Sequence, residues 1–511
     1  MTHFSRSSGV LLHITSLPGP YGIGSMGRHA KAFIDFLAES GFHFWQMCPI
    51  GPTGFGDSPY QTFSAFAGNP YLIDLEALAN MQLLELEDLK TLEKLPKHRV
   101  DFGALYESFW PILQKAHARF KAYPSSKKKA FEAYKAKEAA WLEPYSAFMA
   151  LKHHFKGQSW QTWPKGLHSY AQFQTNALKE TLLASIEPWQ FYQYLFDLQW
   201  QELHTYAHSK GIELIGDIPI FVASDSADLW THPKFFDTNQ EGLPQSQAGV
   251  PPDYFSEKGQ LWGNPLYNWD ALKTNGYDWW KARLGRMFHW FDAVRIDHFR
   301  AFDSYWKVEV GAKDAIKGKW KKGPGMPFFD AIFKHFESQS IPCKLIAEDL
   351  GDINDSVRRL LKETQLPGMA VLQFGFGGDA DNMHLPHNHQ ANQVLYPGTH
   401  DNDTFRGWYE HADFKTQDHI RNYFGISGDA IAWDGIRATF KSVANVVIIP
   451  LQDLLNLGSE ARMNQPGVPE GNWSWRYETQ SLQNLLNHET KAYLKKLHAL
   501  YGREVVRTSS N

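Results

Sequence analysis

The 511-residue chain carries 51 Lys and Arg against 55 Asp and Glu, a formal net charge of −4. That balance disfavours a nucleic-acid partner, and no run of about 18 apolar residues exists that could span a membrane. Two cysteines, Cys48 and Cys343, are too few for a disulfide framework and fit a reducing, cytoplasmic setting. The polar start, Met1 to Ser8, and the short apolar run Gly9 to Leu12 do not read as a signal peptide.

Gly9 to Ile14 reads as a buried strand closed by Ser16-Leu17-Pro18-Gly19-Pro20. Ala30, Phe33, Ile34 and Leu37 follow at helical spacing until Gly41 stops them, and Phe42 to Met47 is a second strand. Strand, helix, strand opens an α/β fold with a parallel sheet. From about residue 76 to 188 the alternation breaks. Lys, Glu and Ala dominate, and Leu83 to Lys94, Leu105 to Tyr123 and Ala130 to Phe155 read as helices of an inserted subdomain. The clusters Lys127 to Lys129 and Lys317 to Lys322 read as solvated helix and loop faces.

Trp189 to Lys210 reads as the helix that returns to the main body, and strands resume at Glu213 to Ile220. Five more follow: the segment ending at Asp297, then Lys344 to Ala347, Met369 to Phe374, Val394 to Tyr396 and Val446 to Leu451. Eight such units predict a (β/α)8 barrel with its active site at the carboxyl ends of the strands. Residues 1–511 are then a single catalytic barrel domain, interrupted by the helical insertion and by a lid loop at about 248–265.

The strand ends carry acids: Asp217, Asp297, Glu348 and Asp401. Desolvating an unpaired carboxylate is costly, so four at one barrel mouth point to function rather than stability. Alternation puts Arg295 and Asp297 on one face, where the guanidinium holds the carboxylate ionised; an ordinary salt bridge would look the same. Arg295 offsets one of the charges, which leaves another carboxyl group to stay protonated. One ionised nucleophile beside one protonated acid is the arrangement of a retaining glycosidase. Calcium or magnesium binding is the rival reading of such a cluster. Aromatics in Gly- and Pro-rich stretches suit sugar rings better.

The resemblance is then specific. Gly216 to Phe221, Arg295 to Arg300, Ala347 to Gly351 and Gly398 to Asp403 resemble the amylomaltases, the 4-α-glucanotransferases of glycoside hydrolase family 77. Asp57 to Tyr60, Ala248 to Ser256, Gln260 to Pro265, Gly458 to Asn464 and Gly471 to Arg476 extend the likeness nearly end to end. It implies Asp297 as nucleophile, Glu348 as acid/base and Asp401 as the third carboxylate. Strand alternation by itself does not choose between Glu348 and Asp349. The resemblance further implies substrate contacts at Tyr60, Ser58, His400, Trp262, Asn264, Phe374 and Asn464. It implies Arg295 as the binding-site group that orients Asp297, and Asp217 as a substrate contact or a support behind one. Tyr254 and Phe255, aromatic residues of the lid loop, read as further substrate contacts. His298 reads equally as a packed histidine or a ligand contact, and Asp349, Asp403 and Arg462 as structural ion-pair partners. Ala301 stands where the family pattern has glycine.

The implied activity is transfer of α-1,4-glucan segments between maltooligosaccharides, with no metal ion or organic cofactor demanded. An α-amylase-like hydrolase and a non-catalytic α-glucan-binding protein remain the alternatives. The partners implied are glucan donors and acceptors, for a monomer or small homo-oligomer.

Overall fold

The computed structural model describes residues 4–504 apart from 55, 253–255, 469 and 486. Among them, twelve strands form two sheets. In chain order the strands are β1 (Ser7–Leu11), β2 (Phe44–Gln46), β3 (Glu213–Pro219), β4 (Ser246–Val250), β5 (Gln260–Pro265) and β6 (Ala293–Asp297). There follow β7 (Ser304–Glu309), β8 (Lys319–Lys322), β9 (Leu345–Ala347), β10 (Gly368–Val371), β11 (Gln393–Tyr396) and β12 (Val446–Pro450).

Eight strands make one parallel sheet in the order β10-β11-β12-β1-β2-β3-β6-β9. The two ends meet: Ala347 N–H donates to the Pro367 carbonyl at 2.9 Å, and Met369 N–H donates to Asp349 Oδ1 at 2.6 Å. A Cβ on Gly368 would lie 2.6 Å from the Asp349 carboxylate, so this seam needs glycine. Closure makes the sheet a barrel whose interior is packed with Leu11, Phe44, Ile215, Ile346, Met369, Val394 and Ile448. Most strands are buried along their whole length, as a parallel sheet covered by helices requires.

Between β2 and β3 lie the helices Leu75–Asn80, Phe102–Lys121, Ser125–His154 and Leu178–Ser209, with shorter turns. The stretch predicted as one helix at Leu83 to Lys94 is instead a four-residue helix, Leu86–Leu89, and a 3-10 turn, Leu92–Lys94. Its last charged residues face solvent, where too little apolar surface is buried to hold a longer helix. The returning helix begins earlier than the sequence suggests and runs through Pro188. Gln193 on it grips Gly68 on both backbone groups at 2.8 Å each, tying the helix to the loop after β2.

Strand occupies both ends of the region 248–265. β4 and β5 pair antiparallel, and with β7 and β8 they form a second sheet in the order β5-β4-β7-β8. Its glycines allow this close pairing: a Cβ on Gly249 would sit 2.4 Å from the Gln260 carbonyl oxygen. The lysines of 319–322 also form a strand, not a loop, and their exposure suits the edge of that sheet. Among the described residues no helix is long and apolar enough to cross a membrane.

Candidate active site

The site is built on β6. Arg295 is buried, and its neighbour in register on β3 is Asp217. One guanidinium edge donates to Asp217 Oδ2 at 2.6 Å and the other to Asp297 Oδ1 at 3.0 Å. Nε contacts Met369 Sδ at 3.4 Å. Its single positive charge is shared between two carboxylates, and it cannot turn away from either. Such charge-assisted bonds are short and directional, which fixes Asp297 at the end of its strand.

Asp217 does not end its strand, as the sequence suggested; two residues of β3 follow it and its side chain is 1% exposed. Its Oδ2 also accepts from the Tyr60 hydroxyl at 2.9 Å. That depth places it beneath the mouth. The Tyr60 oxygen is 2.9 Å from His400 Nε2, and the two rings stack at 5.2 Å with Trp473 against both. Trp473 was missed as a site residue, although its motif was recognised; its buried ring under the Tyr60–His400 pair follows from tertiary packing.

Glu348 follows β9 directly. Its Oε2 accepts the His298 N–H at 2.6 Å and its Oε1 the Leu350 N–H at 2.8 Å. His298 is left-handed (φ 56°), and that turn aims its N–H at the carboxylate. Its ring meets Trp262 of β5 edge-on at 4.7 Å. Burial lowers the imidazole to about 3. Asp349 faces the barrel seam instead, so the geometry separates the two neighbouring acids.

Asp401 lies in the loop after β11, not at the strand end. Asn464 donates to its Oδ1 at 2.6 Å, and His400 Nε2 lies 3.4 Å from its Oδ2. Arg462 donates to the Asp401 carbonyl at 2.7 Å and to the Asn464 carbonyl at 2.9 Å. Asp403 accepts from Ser459 at 2.6 Å and from the Thr404 N–H. Asp349, Asp403 and Arg462 thus bond backbone and hydroxyl groups rather than forming the ion pairs expected.

The carboxyl groups differ in their hold on a proton. Burial pushes Asp297 up to about 6 against the pull of Arg295. Burial and the charge on Asp297 push Glu348 higher, to about 7, despite Arg295 and the two N–H groups. Burial would raise Asp401 as well, but His400 and Asn464 outweigh it and hold Asp401 well below the usual carboxylate range. Between about pH 6 and pH 7 the pair Asp297 and Glu348 therefore shares about one proton, with Glu348 the stronger holder.

The remaining sequence candidates are dispersed around this centre. Ser58 Oγ accepts from the Tyr60 N–H at 3.3 Å. Asn264 is buried, its amide donating to the Val222 carbonyl at 2.8 Å and accepting from Gln61 at 3.1 Å. Phe374 is 42% exposed and sits edge-on to His384. Tyr254 and Phe255 lie outside the described residues.

The sequence model of glycoside hydrolase family 77, described as 4-alpha-glucanotransferase, matches residues 12–482. The 4-alpha-glucanotransferase of Thermus thermophilus is 47% identical over 480 residues, covering 92% of this chain and 94% of its own. The chloroplastic/amyloplastic 4-alpha-glucanotransferase of Solanum tuberosum is 42% identical over 98% of this chain and 86% of its own. Amylomaltase from Streptococcus agalactiae, solved in complex with acarbose, superposes with a TM-score of 0.92 at 37% identity, covering 98% of this chain and all of that one. The chain belongs to the 4-alpha-glucanotransferases of glycoside hydrolase family 77.

Proposed function

We propose that this chain moves α-1,4-glucan segments between maltooligosaccharides by two displacements at one anomeric carbon, with Asp297 as nucleophile and Glu348 as acid and base. Glu348 gives its proton to the glycosidic oxygen as the bond to carbon breaks, and Asp297 Oδ forms a β-glucosyl ester. The incoming sugar hydroxyl then loses its proton to Glu348 and attacks the same carbon, releasing Asp297 with the α configuration retained. Asp401, held ionised by His400 and Asn464, accepts hydrogen bonds from sugar hydroxyls and stabilises the positive charge that develops on the ring. Arg295 and Asp217 orient Asp297; Tyr60, stacked on His400, faces the donor sugar.

The observation that carries this reading is the unequal pair Asp297 and Glu348, one clamped by a guanidinium and the other by two backbone N–H groups. The ribbon β4–β5, which leans Trp262 against His298, is our choice for the cover that excludes water and holds an incoming glucan, with Tyr254, Phe255 and Phe374 as further sugar contacts. Ser58, Asn264 and Asn464 shape the same mouth. The helical segment at about 76–188 is read as an insertion that buttresses the loop after β2. Two free cysteines support a cytoplasmic protein, and the assembly is read as a monomer or a small homo-oligomer.

Incubation with maltotriose tests the function. Transfer predicts a ladder of longer and shorter sugars with a nearly constant reducing-end count. A count that climbs in step with bond cleavage would assign hydrolysis instead, and no change would leave only binding.

A further inference from the structure

At the opposite end of the barrel three metal-ligating side chains converge. His204 and His208 sit one turn apart on the helix Leu178–Ser209, so both rings lie on one face. Asp292 precedes β6 at the amino-terminal face of the barrel. His204 Nε2 is 3.2 Å from Asp292 Oδ2, and His208 Nε2 is 2.8 Å from Asp292 Oδ1. The two imidazole centroids are 4.2 Å apart, and one ligand atom from each of the three residues falls within 4.8 Å of the others.

We propose that His204, His208 and Asp292 form a binding site for a borderline divalent transition metal, Zn2+ above all, that staples this helix to the barrel floor. Two imidazoles and one carboxylate suit zinc, whose bonds of about 2.0–2.2 Å in a tetrahedron separate neighbouring ligand atoms by about 3.3 Å. The nitrogen–oxygen spacings already fall near that value. The carboxylate is also oriented independently of the histidines. The Leu214 N–H donates to its Oδ2 at 2.7 Å while the Asp292 N–H donates to the Leu214 carbonyl at 2.9 Å. A carboxylate fixed by backbone groups is what a metal ligand needs to hold its place. His208 is 48% exposed, whereas His204 and Asp292 are at 14% and 17%. The open side leaves room for a water or a fourth ligand and gives the ion a route from solvent.

The purely structural alternative is a carboxylate receiving two imidazole N–H bonds. Metal binding replaces those two protons with one ion, and so predicts something the hydrogen-bonded cluster does not. β6 separates the cluster from Asp297 by its whole length, about 13–16 Å at the rise of a strand, so the ion acts on stability and not on sugar chemistry.

The test is calorimetric titration of the chelator-treated full chain with ZnCl2, alongside the visible spectrum after adding CoCl2. One ion per chain, the intense visible bands of tetrahedral Co2+ and a melting temperature a few degrees higher with zinc are expected, because the ion binds only the folded site. H204Q/H208Q should lose affinity at least about tenfold and lose the zinc-dependent rise, while still converting maltotriose. His208→Gln alone, at an exposed position, gives the same reading if the double variant folds poorly. An unchanged zinc isotherm in these variants, or a wild type that takes up no zinc, overturns the site.

Discussion

Arg295 and Asp217 are neighbours in register on adjacent barrel strands, joined by a 2.6 Å bond between guanidinium and carboxylate. The same guanidinium holds Asp297 from its other edge. The pKa of Asp297 is thus set by a competition, in which burial raises it, Arg295 lowers it and the Asp217 charge raises it. Asp217→Asn should shift the acid limb of the pH profile to lower pH, because the raising charge is gone and Arg295 turns fully to Asp297. A kcat/KM profile over pH 4–7 checks this; an acid limb moved to higher pH would contradict it. The variant should also melt at lower temperature, since a buried ion network loses one partner.

Wild-type activity should follow a bell with limbs near pH 6 and pH 7. Below about 6, Asp297 takes up a proton and cannot attack; above about 7, Glu348 loses the proton it must donate. The two limbs belong to the pair as a unit. Assaying kcat/KM with a maltooligosaccharide donor at constant ionic strength measures both. A profile that stays flat from pH 5 to 9 would remove this acid/base assignment.

Glu348→Gln carries a prediction about stability as well as rate. The folded-state acidity of Glu348 is weakened, so the stability tied to this group is full below its unfolded value, near 4.5. It is lost as pH rises towards about 7. Glutamine does not titrate. The melting temperature of the variant relative to wild type should therefore climb between pH 4.5 and 7 and level off above. Its rate should fall strongly with sugar leaving groups and much less with an activated aryl glucoside, which needs no proton. Equal losses on both donors would show that Glu348 is not the acid.

Trp262 leans on His298, the residue after Asp297, at 4.7 Å between ring centroids. Trp262→Ala should open the mouth to water and raise hydrolysis relative to transfer, read as reducing ends formed per bond redistributed. An unchanged ratio would mean that the ribbon does not govern access of water.

How much of this was legible beforehand differs from residue to residue. The barrel was readable because eight short apolar runs alternate with helical segments, and a parallel sheet buried on both faces leaves that pattern. Asp297 above Arg295 was readable from alternation on one strand. That Arg295 also holds Asp217 was not, because register between β3 and β6 depends on barrel closure and not on either segment. The resemblance to a family chose Glu348 over Asp349. The structure adds the reason: the left-handed turn at His298 delivers a backbone N–H to Glu348, while Asp349 pins the seam beside Gly368. The ribbon at 248–265 looked like a loop because its glycines and prolines mask strand periodicity, and its pairing with β7 links segments far apart in sequence. His204, His208 and Asp292 gave no signal along the chain, since the acid meets the two histidines only through the fold.

The most direct measurement is mass spectrometry of Glu348→Gln after reaction with an α-maltosyl fluoride. Fluoride leaves without a proton, and loss of the base slows release of the sugar, so the glycosyl-enzyme should accumulate. The account predicts an added maltosyl mass on the peptide that contains Asp297, absent in the Asp297→Asn/Glu348→Gln double variant. An adduct on the peptide carrying Asp401, or turnover of the fluoride by the double variant at the rate of the single one, would contradict it.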